Sequence, residues 1–161
     1  MNLMQNESVD IILCCYNSED TILKCVNSLL NQKHKNLRVL IFDDASNDKT
    51  VEKICSIHDD RIVLVRSQKN VGTYAGKNFL LKNVSSAKFI ALQDADDYSH
   101  SDRISRQLRE IEKDKFIVVG TSVFETGDKS SAHTVSVDAF ISGERKNCYP
   151  QNITQEILAK I

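Results

Sequence analysis

"VDIILCCYNSEDTILKCVNSLLNQKHKNLRVLIFDD", residues 9–44, decides the architecture. Its first part, Val9–Asn17, is a short apolar run rich in Val and Ile, the composition of a strand buried on both faces. From Ser18 the pattern changes, and Ile22, Leu23, Val26, Leu29 and Leu30 recur at helical spacing. Ser18, Glu19 and Asp20 suit a helix N-terminus, where free N–H groups need acceptors and negative charge is favoured. Leu37–Asp44 then returns to a strand pattern. Strand, helix and strand joined by such short links predict a parallel β-α-β unit.

The cycle continues toward the C-terminus. Residues 48–58 read as a helix and 61–67 as a third strand. A helix within 72–84 carries Ala75, Phe79, Leu80 and Val84, and residues 88–94 form a fourth strand. The stretch 101–114 reads as a helix with Ile104, Leu108 and Ile111 on one face, and 116–126 as a fifth strand. The expected fold class is α/β, a three-layer sandwich with a mainly parallel sheet. After Gly127 the rhythm breaks into an alternating segment near Thr134–Phe140, a polar stretch with the only proline, Pro150, and a closing helix at 153–161. Residues 1–126 thus read as one α/β domain and 127–161 as an irregular segment of it.

A chain of 161 residues suffices for one domain with a real core. Lys and Arg number 21 against 22 Asp and Glu, a net charge of −1 that gives no general attraction to nucleic acid. No nucleic-acid partner is expected. No window approaches the ~18 apolar residues of a membrane span. "MNLMQNESVD" has neither a basic region nor an apolar stretch, so no signal peptide is expected and a cytoplasmic location is. Cys14, Cys15, Cys25, Cys55 and Cys148 are odd in number, form no C-x-x-C pair and mostly sit among apolar residues. They read as reduced thiols filling a core.

In open parallel sheets ligands bind beyond the carboxyl ends of the strands. Here four successive strand ends carry polar groups: Tyr16 and Asn17, then Asp43 and Asp44, then "NVGTYAGKN" (70–78), then "DADD" (94–97). Asp94 and Asp96 are two apart, so in an extended backbone they share a face. Such close carboxylates resist joint ionisation unless a cation neutralises them, and an oxygen site with few protein ligands suits Mg2+ or Mn2+. A solvated turn is the other reading of the same residues. Asp43 and Asp44 can accept a base N–H or a ribose hydroxyl, and Asp43 by itself can equally hold its loop through backbone N–H groups. Asp48 precedes a helical pattern and reads as its cap. Tyr16 can offer its face to a nucleobase or simply pack. Gly72 and Gly76 allow close backbone approach. Lys77 and Asn78 can meet a diphosphate near a helix start, or lie on a wet surface. The four histidines show no ligand spacing.

The ordered series of motifs over residues 8–120 resembles the N-terminal half of family 2 inverting glycosyltransferases with the GT-A fold. "NVGTYAGKN" is similar to that family's N-x-G-x-x-x-A-R-N stretch, and "ALQDADDYSHSDRISRQ" to its D-x-D motif and the segment after it. The resemblance implies that Tyr16 stacks on the donor base, commonly uracil, and that Asp44 hydrogen-bonds it with Asp43 alongside. Asp94 would face the ribose or sugar, and Asp96 would hold Mn2+ or Mg2+ on the diphosphate. Lys77 stands where the family usually has arginine, and lysine lacks the planar fork of donors. Ser101 stands where proline is common.

The implied reaction moves a sugar with inversion from a nucleotide diphospho-sugar to a carbohydrate or lipid-linked acceptor, in surface polysaccharide or glycan synthesis. Peripheral association with the inner membrane face fits such acceptors. The family's catalytic base is an acidic residue in an acceptor-binding half. It is expected beyond Ile161, since Asp138, Glu144 and Glu156 do not form the family's acidic pair. A non-catalytic nucleotide-sugar-binding module is the alternative. A nucleotidyltransferase would show a glycine-rich basic loop where "CCYNSED" stands. A receiver domain would place a phosphoacceptor where "VRSQKN" stands.

Overall fold

The computed structural model describes residues 6–114 and 118–120. The expected fifth strand at 116–126, the segment 127–161 and Cys148 lie outside the described residues, apart from 118–120. The chain divides into two compact units, Met1–Ser105 and Arg106–Ile161. The first contains strands β1 (Val9–Cys15), β2 (Leu37–Asp43), β3 (Ile62–Arg66) and β4 (Phe89–Asp94). It also contains helices α1 (Ile22–Leu30), α2 (Thr50–Cys55) and α3 (Thr73–Asn83), and the start of α4 (Arg103–Asp114). In the second unit Gln107 Nε2 donates to the Val119 carbonyl at 3.1 Å.

The four strands form one sheet in the order β3-β2-β1-β4, every pair parallel. All seven residues of β1 are buried, as a central strand covered on both faces requires. On one face Ile12, Cys14, Leu40 and Phe42 form a cluster with Leu80 of α3. The opposite face carries Ile11, Leu13, Val39 and Ile41, all fully buried. Helix α1 lies against β2 and contributes Ile22, Cys25, Val26 and Leu29 to the core. Each such Leu or Ile side chain contributes about 1.5–3 kcal/mol by leaving water.

Register is fixed by a carboxylate that apolar periodicity does not reveal. Asp10 is 1% exposed and sits directly opposite Arg38. Arg38 Nε and Nη2 donate to its two oxygens at 2.8 and 2.7 Å. Oδ2 also accepts the Ser85 hydroxyl and the Ser86 and Ala87 amides, so the link from α3 to β4 is anchored there. Burial alone would push the Asp10 carboxyl up. Arg38 and these donors outweigh it and hold the group below its ordinary value.

Two local expectations change. Helix α1 begins at Ile22 with Thr21 at its N-cap, and Ser18–Asp20 form the turn before it. Glu19 does not serve α1: its carboxylate accepts the Lys49 amide at the start of α2. On α3, Ala75 faces solvent, Phe79 is 43% exposed with its ring centroid 5.8 Å from that of Phe42, and the buried positions are Gly76 and Leu80. A Cβ on Gly76 would lie 2.5 Å from Phe42 Cδ1 and 3.0 Å from Cys14 Sγ. Its close approach is therefore to the sheet, and the missing side chain lets α3 sit down on β1 and β2.

Candidate functional site

The β1, β2 and β4 ends meet at one edge, as parallel pairing dictates. In register, Cys14 lies beside Phe42 and Asp94, and Cys15 beside Asp43. The polar residues that follow β1 and β4, with the start of α3, open onto a cleft of about 760 Å³, within the usual range for small-molecule sites. Tyr16, Asn17 and Ser18 line it from the end of β1. Thr73, Tyr74 and Lys77 line it from the first turn of α3, and Asp94 and Asp96 from the end of β4. Of the six residues singled out in the sequence, Tyr16, Lys77, Asp94 and Asp96 share this cleft.

Asp43 and Asp44 stand behind it. Both are buried, at 0% and 2% exposure, and neither lines the cleft. Asp43 accepts the Ser46 amide at 3.3 Å and pairs with Arg66 Nε at 3.2 Å. Asp44 accepts the Val71 amide at 2.7 Å and the Gly72 amide at 2.8 Å, one on each oxygen. It thereby sets the approach to α3, where Gly72 takes φ +88°, a conformation that a side chain would strain. A carboxylate has about four lone-pair sites, so two remain on Asp44.

The loops after β1 and β2 are stitched together. The Asn17 amide donates to Ser46 Oγ at 3.0 Å, the Asn47 amide to Asn17 Oδ1 at 3.0 Å, and the Ser18 amide to Thr50 Oγ1 at 2.7 Å. Asp48 accepts the Glu19 amide at 3.1 Å and the Thr50 amide at 2.9 Å. Burial works against its charge, and the Thr50 and Glu19 hydrogen bonds prevail, holding its carboxyl low. Asn17 and Ala45 adopt φ of 47° and 65°. Asn tolerates that region, whereas Ala45 is held in it against its preference.

The β4 end is less tied down. Lys77 Nζ meets Asp94 Oδ1 at 2.7 Å, the lysine largely buried and the aspartate 63% exposed in its side chain. Residues 94–97 make a turn closed by the Asp97 amide on the Asp94 carbonyl at 3.2 Å. Partial burial, Asp96 and Asp94 together push the Asp97 carboxyl up. The Arg103 guanidinium donates from Nη1 to the Leu92 carbonyl at 3.2 Å, while its Nε and Nη2 are buried without a hydrogen-bond acceptor. Burial pushes its pKa down, opposed by Cys25 and Asp97.

Among the described residues no group of three or more His, Cys, Asp or Glu side chains could hold a metal ion. The donor set at this edge is instead a pair of cleft-lining carboxylates, Asp94 and Asp96. That set fits a cation such as Mg2+ or Mn2+, which takes one or two carboxylates and completes its shell with water and phosphate. It does not fit a softer metal: the nearby thiols of Cys14 and Cys25 are pushed up to about 11 and about 12, chiefly by burial. These two and Cys15 are free, buried core residues, and Cys55 is free and exposed.

Thr73, Tyr74 and Ser18 were not singled out by sequence as ligand-facing. "GTYAG" carried the signal for Tyr74, an aromatic close behind a glycine that opens a helix at a strand's carboxyl end.

Known proteins resemble this chain over the same region. WfaP of Escherichia coli, a UDP-Glc:alpha-D-GlcNAc-diphosphoundecaprenol beta-1,3-glucosyltransferase, is 38% identical over 109 residues, 68% of this chain and 43% of that protein. The putative glycosyltransferase EpsE of Bacillus subtilis is 34% identical over 119 residues, 71% of this chain and 42% of that protein. The chain thus spans less than half the length of these relatives. Among solved structures, S. aureus TarS 1-349 superposes with a TM-score of 0.61 at 24% identity, covering 66% of this chain and 32% of that one. The mannosyltransferase PcManGT from Pyrobaculum calidifontis, in complex with GDP-Man and Mn2+, gives 0.62 at 21% identity, covering 68% and 33%. At such identities the likeness establishes the fold, a parallel α/β sheet of the GT-A type. Residues 10–157 match the family model Glycosyl transferase family 2, and the chain belongs to that family.

Proposed function

We propose that residues 1–126 are the donor-binding part of a glycosyltransferase that takes a nucleotide diphospho-sugar, a UDP-sugar by preference, and that 127–161 continue the same domain. The observation that carries this reading is the convergence of Tyr16, Lys77, Asp94 and Asp96 on one cleft beyond the strand ends. An aromatic face, a cation and two carboxylates match the three parts of such a donor: base, diphosphate and the divalent cation that accompanies it.

In this reading Tyr16 offers its face to the base, and Asp44 offers its remaining lone pairs to a base N–H, with Asp43 holding the adjoining loop. Lys77 exchanges Asp94 for a diphosphate oxygen. Asp94 is then released toward the ribose or sugar, and Asp96 holds Mn2+ or Mg2+. When bound, the cation neutralises charge on the departing nucleoside diphosphate. The acceptor hydroxyl oxygen bonds to the anomeric carbon as the bond from that carbon to the phosphate oxygen breaks, inverting the centre. The hydroxyl proton passes to a carboxylate base that none of the described residues supplies. WfaP is named for transfer onto a diphosphoundecaprenol-linked sugar. A lipid-linked acceptor of this kind, in polysaccharide synthesis at the cytoplasmic face of a membrane, is the proposed setting. No helix among the described residues is long and apolar enough to cross a membrane.

Calorimetric titration with uridine diphosphate, with and without Mn2+, tests the reading. Affinity is expected to rise with Mn2+, and Asp96→Ala is expected to erase that rise without unfolding the chain, since it also relieves charge repulsion. A full metal response in folded Asp96→Ala would overturn the assignment. Turnover of a UDP-sugar by this chain, compared with one extended past Ile161, separates an enzyme from a binding module.

A further inference from the structure

Tyr74 has no role in the donor site as described above, yet it is the most exposed large apolar side chain among the described residues, at 68%. It lines the same cleft as Tyr16, which is 48% exposed. These two rings are the only large flat apolar faces among the lining residues. The other non-polar members, Cys14 and Ala95, are 8% exposed and form its floor.

Where Tyr74 stands along the cleft follows from the backbone. Residues 71 and 72 are pinned to Asp44 at the end of β2. Lys77 reaches Asp94 at the end of β4, on the far side of β1. Tyr74 lies between them on the first turn of α3, three residues before Lys77 and so on the same helix face. Tyr16 directly follows β1, whose last carbonyl accepts the Asp44 amide at 2.9 Å. The two tyrosines therefore reach the cleft from different elements, Tyr16 from the end of β1 and Tyr74 from the start of α3.

Resting on the donor-site reading, we propose that Tyr74 is the second wall of a two-sided aromatic clamp, and that the nucleobase of the donor sits between Tyr74 and Tyr16. The solvent exposure of Tyr74 is what such a role needs, since a ring already packed has no face left to offer. The aromatic clamp recognises a planar base whatever its hydrogen-bonding edge. It places base selection on Asp44 and the loop amides rather than on the rings.

The test uses the intact chain with uridine diphosphate, guanosine diphosphate and inorganic diphosphate as probes, with thermal denaturation as a control. Tyr74→Ala is expected to weaken both nucleotides by about fivefold to 150-fold, the range for loss of one base–aromatic stack, and to leave inorganic diphosphate and the melting temperature unchanged. Tyr74→Phe is expected to restore nucleotide affinity, because the face and not the hydroxyl makes the contact. Unchanged nucleotide affinity in Tyr74→Ala, or an equal loss for nucleotides and inorganic diphosphate, overturns the clamp while the donor site stands. An unsubstituted chain that binds neither nucleotide overturns the donor site and the clamp with it.

Discussion

Replacing Asp44 by Asn probes the contact that joins β2 to the start of α3. The carboxylate accepts the Val71 and Gly72 amides at 2.7 and 2.8 Å, one on each oxygen. Asn keeps one acceptor and turns an NH2 group against the second N–H. One charge-assisted hydrogen bond is lost, worth about 1.5–3 kcal/mol. Val71 is 41% exposed, so water can take up a freed amide, and the lower part of that range, about 1.5–2 kcal/mol, is expected. That is a sizeable fraction of the ~5–15 kcal/mol that holds a domain together.

Urea denaturation reads the loss as a fall in midpoint of roughly 0.5–2 M with an unchanged slope. An unshifted midpoint would refute the role of Asp44 as the staple of the α3 approach. The same variant separates the staple from a direct base contact. If a remaining lone pair also meets a base N–H, uridine diphosphate affinity drops by about 1.5–3 kcal/mol while inorganic diphosphate is unaffected. Unchanged uridine diphosphate affinity in the folded variant removes Asp44 from the base pocket.

Gly76→Ala places a methyl 2.5 Å from the Phe42 ring, and the overpacking is expected to destabilise the fold by about 1–3 kcal/mol and push α3 off the sheet, measured by denaturation and by weaker nucleotide binding. Alkylation of the native chain followed by peptide mapping is expected to label Cys55 and spare Cys14, Cys15 and Cys25, whose thiols are buried and pushed up. The pH dependence of stability should carry two opposite contributions. The Asp97 carboxyl lies above its ordinary 3.8 in the fold, so the fold binds more protons and its stability falls as pH rises from 3.8 through the raised value; Asp97→Asn should remove that slope. Asp10 lies below 3.8 in the fold, so its contribution is present above 3.8 and is lost as pH falls through the lowered value; Asp10→Asn should remove that second slope.

What could be read from the sequence follows the strength of periodic signals. Strands β1 to β4 lie within a residue or two of their expected places, because a short apolar run between polar turns, alternating with helical patterns, suits a buried strand. Tyr16, Lys77, Asp94 and Asp96 share one cleft because a parallel sheet gathers its strand ends on one edge, so local order in the chain predicts proximity. Gly76 was misjudged for the opposite reason. A residue without a side chain gives no apolar signal, and the stretch offered Ala75 and Phe79 as better candidates for the buried face. Glu19 misled differently: it looks sufficient as a helix cap, while its partner Lys49 lies 30 residues away. Asp10 gives no local signal at all, and its partner Arg38 lies 28 residues away. Asp43 and Asp44 read as ligand-facing, with a loop-holding role as the other reading of Asp43, and nothing in "FDDAS" tells that backbone amides bond to both.

The two ends of the cleft differ in how far they are settled before a ligand arrives. On the base side, side-chain and backbone hydrogen bonds lock the loops after β1 and β2 together, and Asp44 ties the second of them to α3. Under the proposed donor site, a base entering there would meet walls that need little reordering, which would lower the entropic cost of binding. On the carboxylate side, Asp94, Asp96 and Asp97 lie within one turn, and Lys77 is the cation paired with Asp94. Like charges this close raise the energy of the ligand-free state, and the Asp97 carboxyl is pushed up by burial first and then by Asp96 and Asp94. In the proposed reading, a divalent cation entering with a diphosphate would relieve that repulsion, and the diphosphate would give Lys77 a second anion to hold. Binding at this end would then draw on charge relief, and binding at the other on preformed shape. Loss of a carboxylate should alter the response to metal, and loss of an aromatic face should alter the affinity for the base.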